Sequence, residues 1–106
     1  MSAGLKPYIW VQATIRRCDL EAIPAAISRR GDSDGGAILV KLQRAEGWSV
    51  HGQALIGGDE GETGWLRGIG PGPEADADAY IARQVKRDPD LWVIEIEDPK
   101  GRFTLV

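Results

Sequence analysis

Residues 37 to 44 carry the strictest alternation in the chain. Ile38, Val40 and Leu42 fall on one side of an extended backbone, and Leu39, Lys41 and Gln43 fall on the other. A strand is predicted over Ala37–Arg44. Ala45-Glu46-Gly47 then reads as a three-residue hairpin connection, with glycine where a left-handed residue is wanted. The partner strand runs from Trp48 to about Ile56. It sets Trp48, Val50 and Ala54 on one face and Ser49, His51 and Gln53 on a wet one. This hairpin commits the chain to a sheet. With 106 residues there is room for one hydrophobic core and one domain spanning 1–106.

What can cover that sheet is read from the flanks. Tyr8, Val11, Ile15, Cys18 and Ala22 keep helical spacing, whereas strand alternation stops at Arg16, so a helix is predicted from Pro7 to Ala22. Pro7 suits the first turn, where its missing N–H costs nothing. A second apolar row, Leu5, Ile9, Ala13 and Leu20, lies roughly 150° around from the first. A helix greasy on two sides is sandwiched, with its own sheet on one side and a loop, another helix or a second copy of the chain on the other. Pro24 opens a strand over Ala25–Arg30, and Gly31-Asp32-Ser33-Asp34-Gly35-Gly36 is a loop by composition. After a polar, glycine-broken stretch, a short strand is predicted around Trp65–Ile69, stopped by Gly70-Pro71-Gly72-Pro73. A second helix follows. Glu74, Asp76 and Asp78 lie near its start and Arg83, Lys86 and Arg87 near its end, which complements the helix dipole. Asp88-Pro89-Asp90 ends it, and Leu91–Glu97 is the last strand. The expectation is an α+β two-layer domain of order α-β-β-β-β-α-β, an antiparallel meander with both helices on one face.

The string Asp88-Pro89-Asp90-Leu91-Trp92-Val93-Ile94-Glu95-Ile96-Glu97-Asp98, with Trp10-Val11, Arg16-Arg17, Arg30-Gly31-Asp32 and the strand from Ala37 to Leu42, resembles the bacterial domain of unknown function 1491 family, found mainly in alphaproteobacteria. The resemblance runs from about Leu5 to Arg102 and departs at Pro99, where a second arginine is expected. It implies a small cytoplasmic bacterial protein and brings no activity, substrate or catalytic residue with it.

Charge and composition exclude several classes. A net charge of −3 leaves no global basic field for nucleic acid, although Arg16-Arg17, Arg29-Arg30 and Lys86-Arg87 could form a local patch with tryptophans between them. No apolar run approaches the roughly 18 residues of a membrane span, and the opening residues lack the layout of a secretion signal. One cysteine and one histidine cannot build an internal disulfide or the usual zinc cages. Neither a cofactor nor a metal is expected. Gly68-Ile69-Gly70-Pro71-Gly72 has no P-loop ending and follows no parallel β-α-β unit. Asp32-Ser33-Asp34-Gly35 starts like a calcium loop but lacks the later ligands. Arg30-Gly31-Asp32 matches an adhesion tripeptide by coincidence.

Two features could carry chemistry. On the last strand Glu95 and Glu97 project side by side, about 6.6 Å apart at the Cα atoms, as a cation or acid–base pair would. The plainer outcome is a charge ladder with Arg29 and Arg30. Cys18 falls on an apolar stripe, where it acts as a small hydrophobe, and no feature of the sequence brings His51 to it or to a serine. Four tryptophans against one phenylalanine are read first as core filling and second as contact surface.

The reading that follows is a small, non-enzymatic cytoplasmic accessory or protein-interaction domain that self-associates. Trp10 and the Leu5/Ile9/Ala13 row supply the contact, and Arg16, Arg17, Arg29 and Arg30 supply a polar rim. The competing readings are a carboxylate- or metal-dependent hydrolase centred on Glu95 and Glu97, and a small-ligand-binding module.

Overall fold

A computed structural model describes residues 6–55 and 63–105. Its elements are α1 (Pro7–Leu20), β1 (Ala25–Arg29), β2 (Ile38–Arg44), β3 (Gly47–Leu55), β4 (Thr63–Gly72), α2 (Glu74–Arg87) and β5 (Trp92–Glu97). The α+β class and the order α-β-β-β-β-α-β are as the periodicity predicts. Leu5 and residues 56–62 lie outside the described residues.

α1 begins with Pro7 in its first turn and stops two residues earlier than predicted. Ala22 has φ 58°, the left-handed region. Its N–H donates to the Asp19 carbonyl (3.1 Å) while that of Ile23 reaches back to the Cys18 carbonyl (2.9 Å). This is a Schellman ending, with alanine where glycine is the usual occupant. Ile23 and Cys18, which the motif brings together, both enter the core.

The sheet is not the expected meander. Its strand order is β1-β5-β2-β3-β4. β5 inserts between β1 and β2, antiparallel to β1 and parallel to β2, and the remaining pairs are antiparallel. The reason is burial: β2 and β5 are the most apolar strands, and the centre of a sheet is where both faces of a strand can be covered.

The layering also departs from the expectation of both helices on one face. Ile38, Val40 and Leu42 of β2 and Trp92, Ile94 and Ile96 of β5 pack with Trp10, Val11 and Cys18 of α1 and with Phe103. Leu39, Val50 and Val93 point the other way and pack with Ala77 of α2, joined by Trp48, Tyr80, Ile81 and Val85. One helix therefore covers each face. Alternating strands that are apolar on both sides need two covers, and β2 and β5 are apolar on both.

β4 continues through Pro71, where the sequence predicts a stop. It is an edge strand, so proline removes no ladder bond, and register shifts near Val50 take up the irregularity. Gly70 makes this possible. It has φ 94°, and a Cβ there would lie 2.3 Å from the Trp48 carbonyl oxygen.

Among the described residues no helix is long and apolar enough to cross a membrane.

Candidate functional site

α1 covers the β1 end of its face. Part of the β3 and β4 side is covered by the C-terminal segment 101–105, and between that segment and β3 and β4 lies an open cleft of about 400 Å³. Leu42, Pro71, Phe103 and Leu105 give it apolar walls; Arg44, Glu46, Ser49, His51 and Arg67 give it polar ones. The ladders explain the grouping. Ser49 pairs with Leu42, and His51 pairs with Val40 on one side and Arg67 on the other, so all share one face.

Asp98 builds the wall made by the C-terminal segment. It is buried, and its carboxylate accepts the backbone N–H of Arg102 (2.9 Å) and of Phe103 (2.8 Å) while pairing with Arg44 Nε at 3.1 Å. Arg44 also donates to the Phe103 carbonyl. Arg17 donates to the Thr104 carbonyl at 2.8 Å and stacks over the Phe103 ring.

On the cleft floor, Ser49 Oγ and His51 Nε2 are 2.8 Å apart. Burial first, and then the positive charges of Arg67 and Arg44, hold the His51 pKa below its ordinary value, so the ring is neutral at pH 7. A neutral imidazole bonded to a hydroxyl is the start of a nucleophilic pair, but no described carboxylate hydrogen-bonds the ring and fixes its tautomer as a hydrolytic triad requires. Sequence reasoning put Ser49 and His51 on one face and took that face as wet. What it missed is the distant C-terminal segment that covers it.

The residues singled out from the sequence scatter. Trp10 is in the core, 6% exposed, with its ring centroid 5.1 Å from that of Trp65, so the core-filling reading of the indoles holds for it. Trp92 is fully buried and donates from Nε1 to the Asp32 carbonyl at 2.7 Å. Arg17 holds the C-terminal segment, Arg29 donates to the Pro89 carbonyl at 2.7 Å, and Arg30 stacks over Trp92. Only Arg16 stays on the outer side of α1. Asp32 caps its own loop through Gly35 N–H (2.9 Å).

No ladder forms between Arg29 or Arg30 and the acidic pair. β1 and β5 are neighbours, yet Glu95 faces Ala26, and a register shift past Ile27 sets Arg29 against Val93. The counter-charge of Glu95 is Lys41. This lysine is buried under α2, with its Nζ 2.7 Å from Glu74, 2.7 Å from Asp78 and 3.4 Å from Glu95, and 4.7 Å from the Trp48 ring centroid. Burial opposes its charge, but the hydrogen bonds to Asp78 and Glu74 and the field of Glu95 outweigh that, and the pKa is raised. Glu95 is thus engaged and Glu97 stands exposed. Among the described residues no group of three or more His, Cys, Asp or Glu side chains could hold a metal ion. Nothing in this geometry supports the hydrolase reading. Burial also pushes the Cys18 thiol pKa up, which suits a core residue.

Solved structures share this architecture. A crystal structure of a DUF1491 family protein from Caulobacter crescentus CB15 has a TM-score of 0.82 and 43% identity, covering 92% of each chain. An NMR structure of a DUF1491 family protein from the same organism has a TM-score of 0.79 and 43% identity, covering 92% of this chain and 89% of the other. A solution structure of an A. tumefaciens protein has a TM-score of 0.76 and 27% identity, covering 88% and 85%. Among curated proteins none matches the chain. The family model described as "Protein of unknown function (DUF1491)" matches residues 5–106, and the chain belongs to that family.

Proposed function

We propose that this chain is a small cytoplasmic interaction domain that pairs with a second copy of itself through the outer side of α1. One observation carries the reading: among the described residues, three of the four exposed large hydrophobics are on this helix, Tyr8 and, at 46% and 78% exposed, Ile9 and Leu20. Ile9, Ala13, Arg16 and Leu20 follow one another along the side turned away from the sheet. An antiparallel pairing of two α1 helices about a two-fold axis sets Ile9 of one copy against Leu20 of the other and Ala13 against Arg16. The small Ala13 permits close approach there, and the aliphatic stem of Arg16 adds apolar cover. The cytoplasmic placement rests on composition, since a lone buried thiol in a chain this small is the pattern of a reducing compartment.

Sedimentation over a range of concentrations tests the pairing. A concentration-dependent dimer is expected, reduced to monomer in the double variant Ile9→Glu, Leu20→Glu with its circular dichroism unchanged. A monomer at every concentration overturns the proposal.

A further inference from the structure

We propose that the cleft between β3, β4 and the C-terminal segment is a binding site for a small organic monocarboxylate with an apolar body. Its volume of about 400 Å³ is that of a small-molecule site, and it combines apolar walls with a few convergent polar groups. The site is distinct from the outer side of α1 and does not depend on the pairing proposed above.

The charges select the ligand. Among the described residues the charged groups that bear on the cleft are Arg44 from β2, Glu46 from the β2–β3 turn and Arg67 from β4, with Asp98 paired to Arg44 and Arg17 held by the Thr104 carbonyl and the Phe103 ring. The segment 101–105 contributes Gly101, Phe103, Thr104 and Leu105, whose side chains carry no charge. Arg44 is already engaged by Asp98 and by the Phe103 carbonyl. Arg67 is exposed and sits directly across the ladder from His51, so it is the guanidinium available to a ligand. A guanidinium presents paired N–H donors that match a carboxylate, and the Ser49–His51 pair, which spends one of its two donor hydrogens on its own bond, adds one more on the floor. Glu46 at the rim repels a second negative charge, which disfavours a phosphate dianion. Leu42, Phe103 and Leu105 would take the apolar body. A bound carboxylate also offsets the positive charges of Arg67 and Arg44, which act with burial to hold His51 neutral, so occupancy of the cleft is linked to that ring's titration.

His51 is the chain's only histidine, so its imidazole signals give an unambiguous readout. The test titrates the full chain at constant ionic strength with benzoate and, separately, with inorganic phosphate, following those signals by NMR. Benzoate is expected to shift them saturably and to move the His51 midpoint upward, with a clearly weaker response to phosphate. Arg67→Gln, an exposed position, is expected to keep the wild-type melting temperature and to weaken benzoate about tenfold. No saturable shift with benzoate, an equal response to phosphate, or full affinity in Arg67→Gln would each overturn the proposal.

Discussion

At Ala22 a methyl group sits where the backbone prefers none. Its φ of 58° is forced by the Schellman ending that turns the chain from α1 towards Ile23 and β1. Ala22→Gly relieves the left-handed penalty and is expected to stabilise the fold by about 0.5–1 kcal/mol, read from thermal or chemical denaturation. His51 makes a second prediction at this scale. The folded chain holds its pKa below the ordinary 6.5, so as pH falls the unfolded chain takes up the proton first. The stability linked to this ring is complete above about pH 6.5 and drains away as pH falls through that value towards the folded midpoint. An NMR midpoint below 6.5 is expected, and His51→Gln should show a smaller loss of stability between about pH 7 and about pH 5 than the wild type does. Little of this was legible beforehand. Ala22 continues the helical row Val11, Ile15, Cys18, and periodicity has no means of showing where a helix gives way to a left-handed turn. The Ser49–His51 alternation was visible, but its burial depends on a segment some fifty residues downstream.

Between elements, two ionic clusters, each built on one buried charge, hold the parts in place. Lys41 ties β2 to α2 through Glu74 and Asp78 and to β5 through Glu95. Its raised pKa means that this contribution is present below the ordinary lysine value of 10.5 and is lost only as pH rises past it, so at neutral pH Lys41 is charged. Removing the cation leaves three carboxylates facing one another, although their outer ends reach solvent. Lys41→Met is therefore expected to cost about 1–3 kcal/mol, below the full figure for breaking a wholly buried pair. Adding Asp78→Asn should recover part of that loss, as a double-mutant cycle in denaturant would show. The second cluster is Asp98 with Arg44 and the two backbone donors of the C-terminal turn. Asp98→Asn puts an amide hydrogen against a donor and is expected to cost about 2–4 kcal/mol. It should also release residues 101–105, visible as faster amide exchange in that segment. The alternation of β2 placed Lys41 beside Leu39 and Gln43 correctly, yet its acidic partners come from α2 and β5, a juxtaposition that only the packing of three elements creates.

For the molecule as a whole, the two helices take opposite faces of a five-stranded mixed sheet, so each keeps one side free of the core. On α2 that side mixes alanines with charged residues and shows no large hydrophobic; on α1 it carries Ile9, Ala13 and Leu20, and this asymmetry is what makes α1 the candidate for pairing. The pairing predicts that Leu20→Glu alone lowers the dimer fraction while leaving the monomer's melting temperature within about 0.5 kcal/mol equivalent of the wild type, because the residue is already exposed. Periodicity and turn chemistry determined the elements, their order, the hairpin and the faces of β2 and β5, because each of those depends on neighbours within a few residues. The tertiary structure alone decided that β5 lies between β1 and β2, that the helices part to opposite faces, and that Arg17, Arg44 and Asp98 gather the C-terminal segment into a cleft over Ser49 and His51. Those outcomes depend on which apolar faces cover which across the whole chain, and on where buried charges find partners, neither of which local spacing can specify.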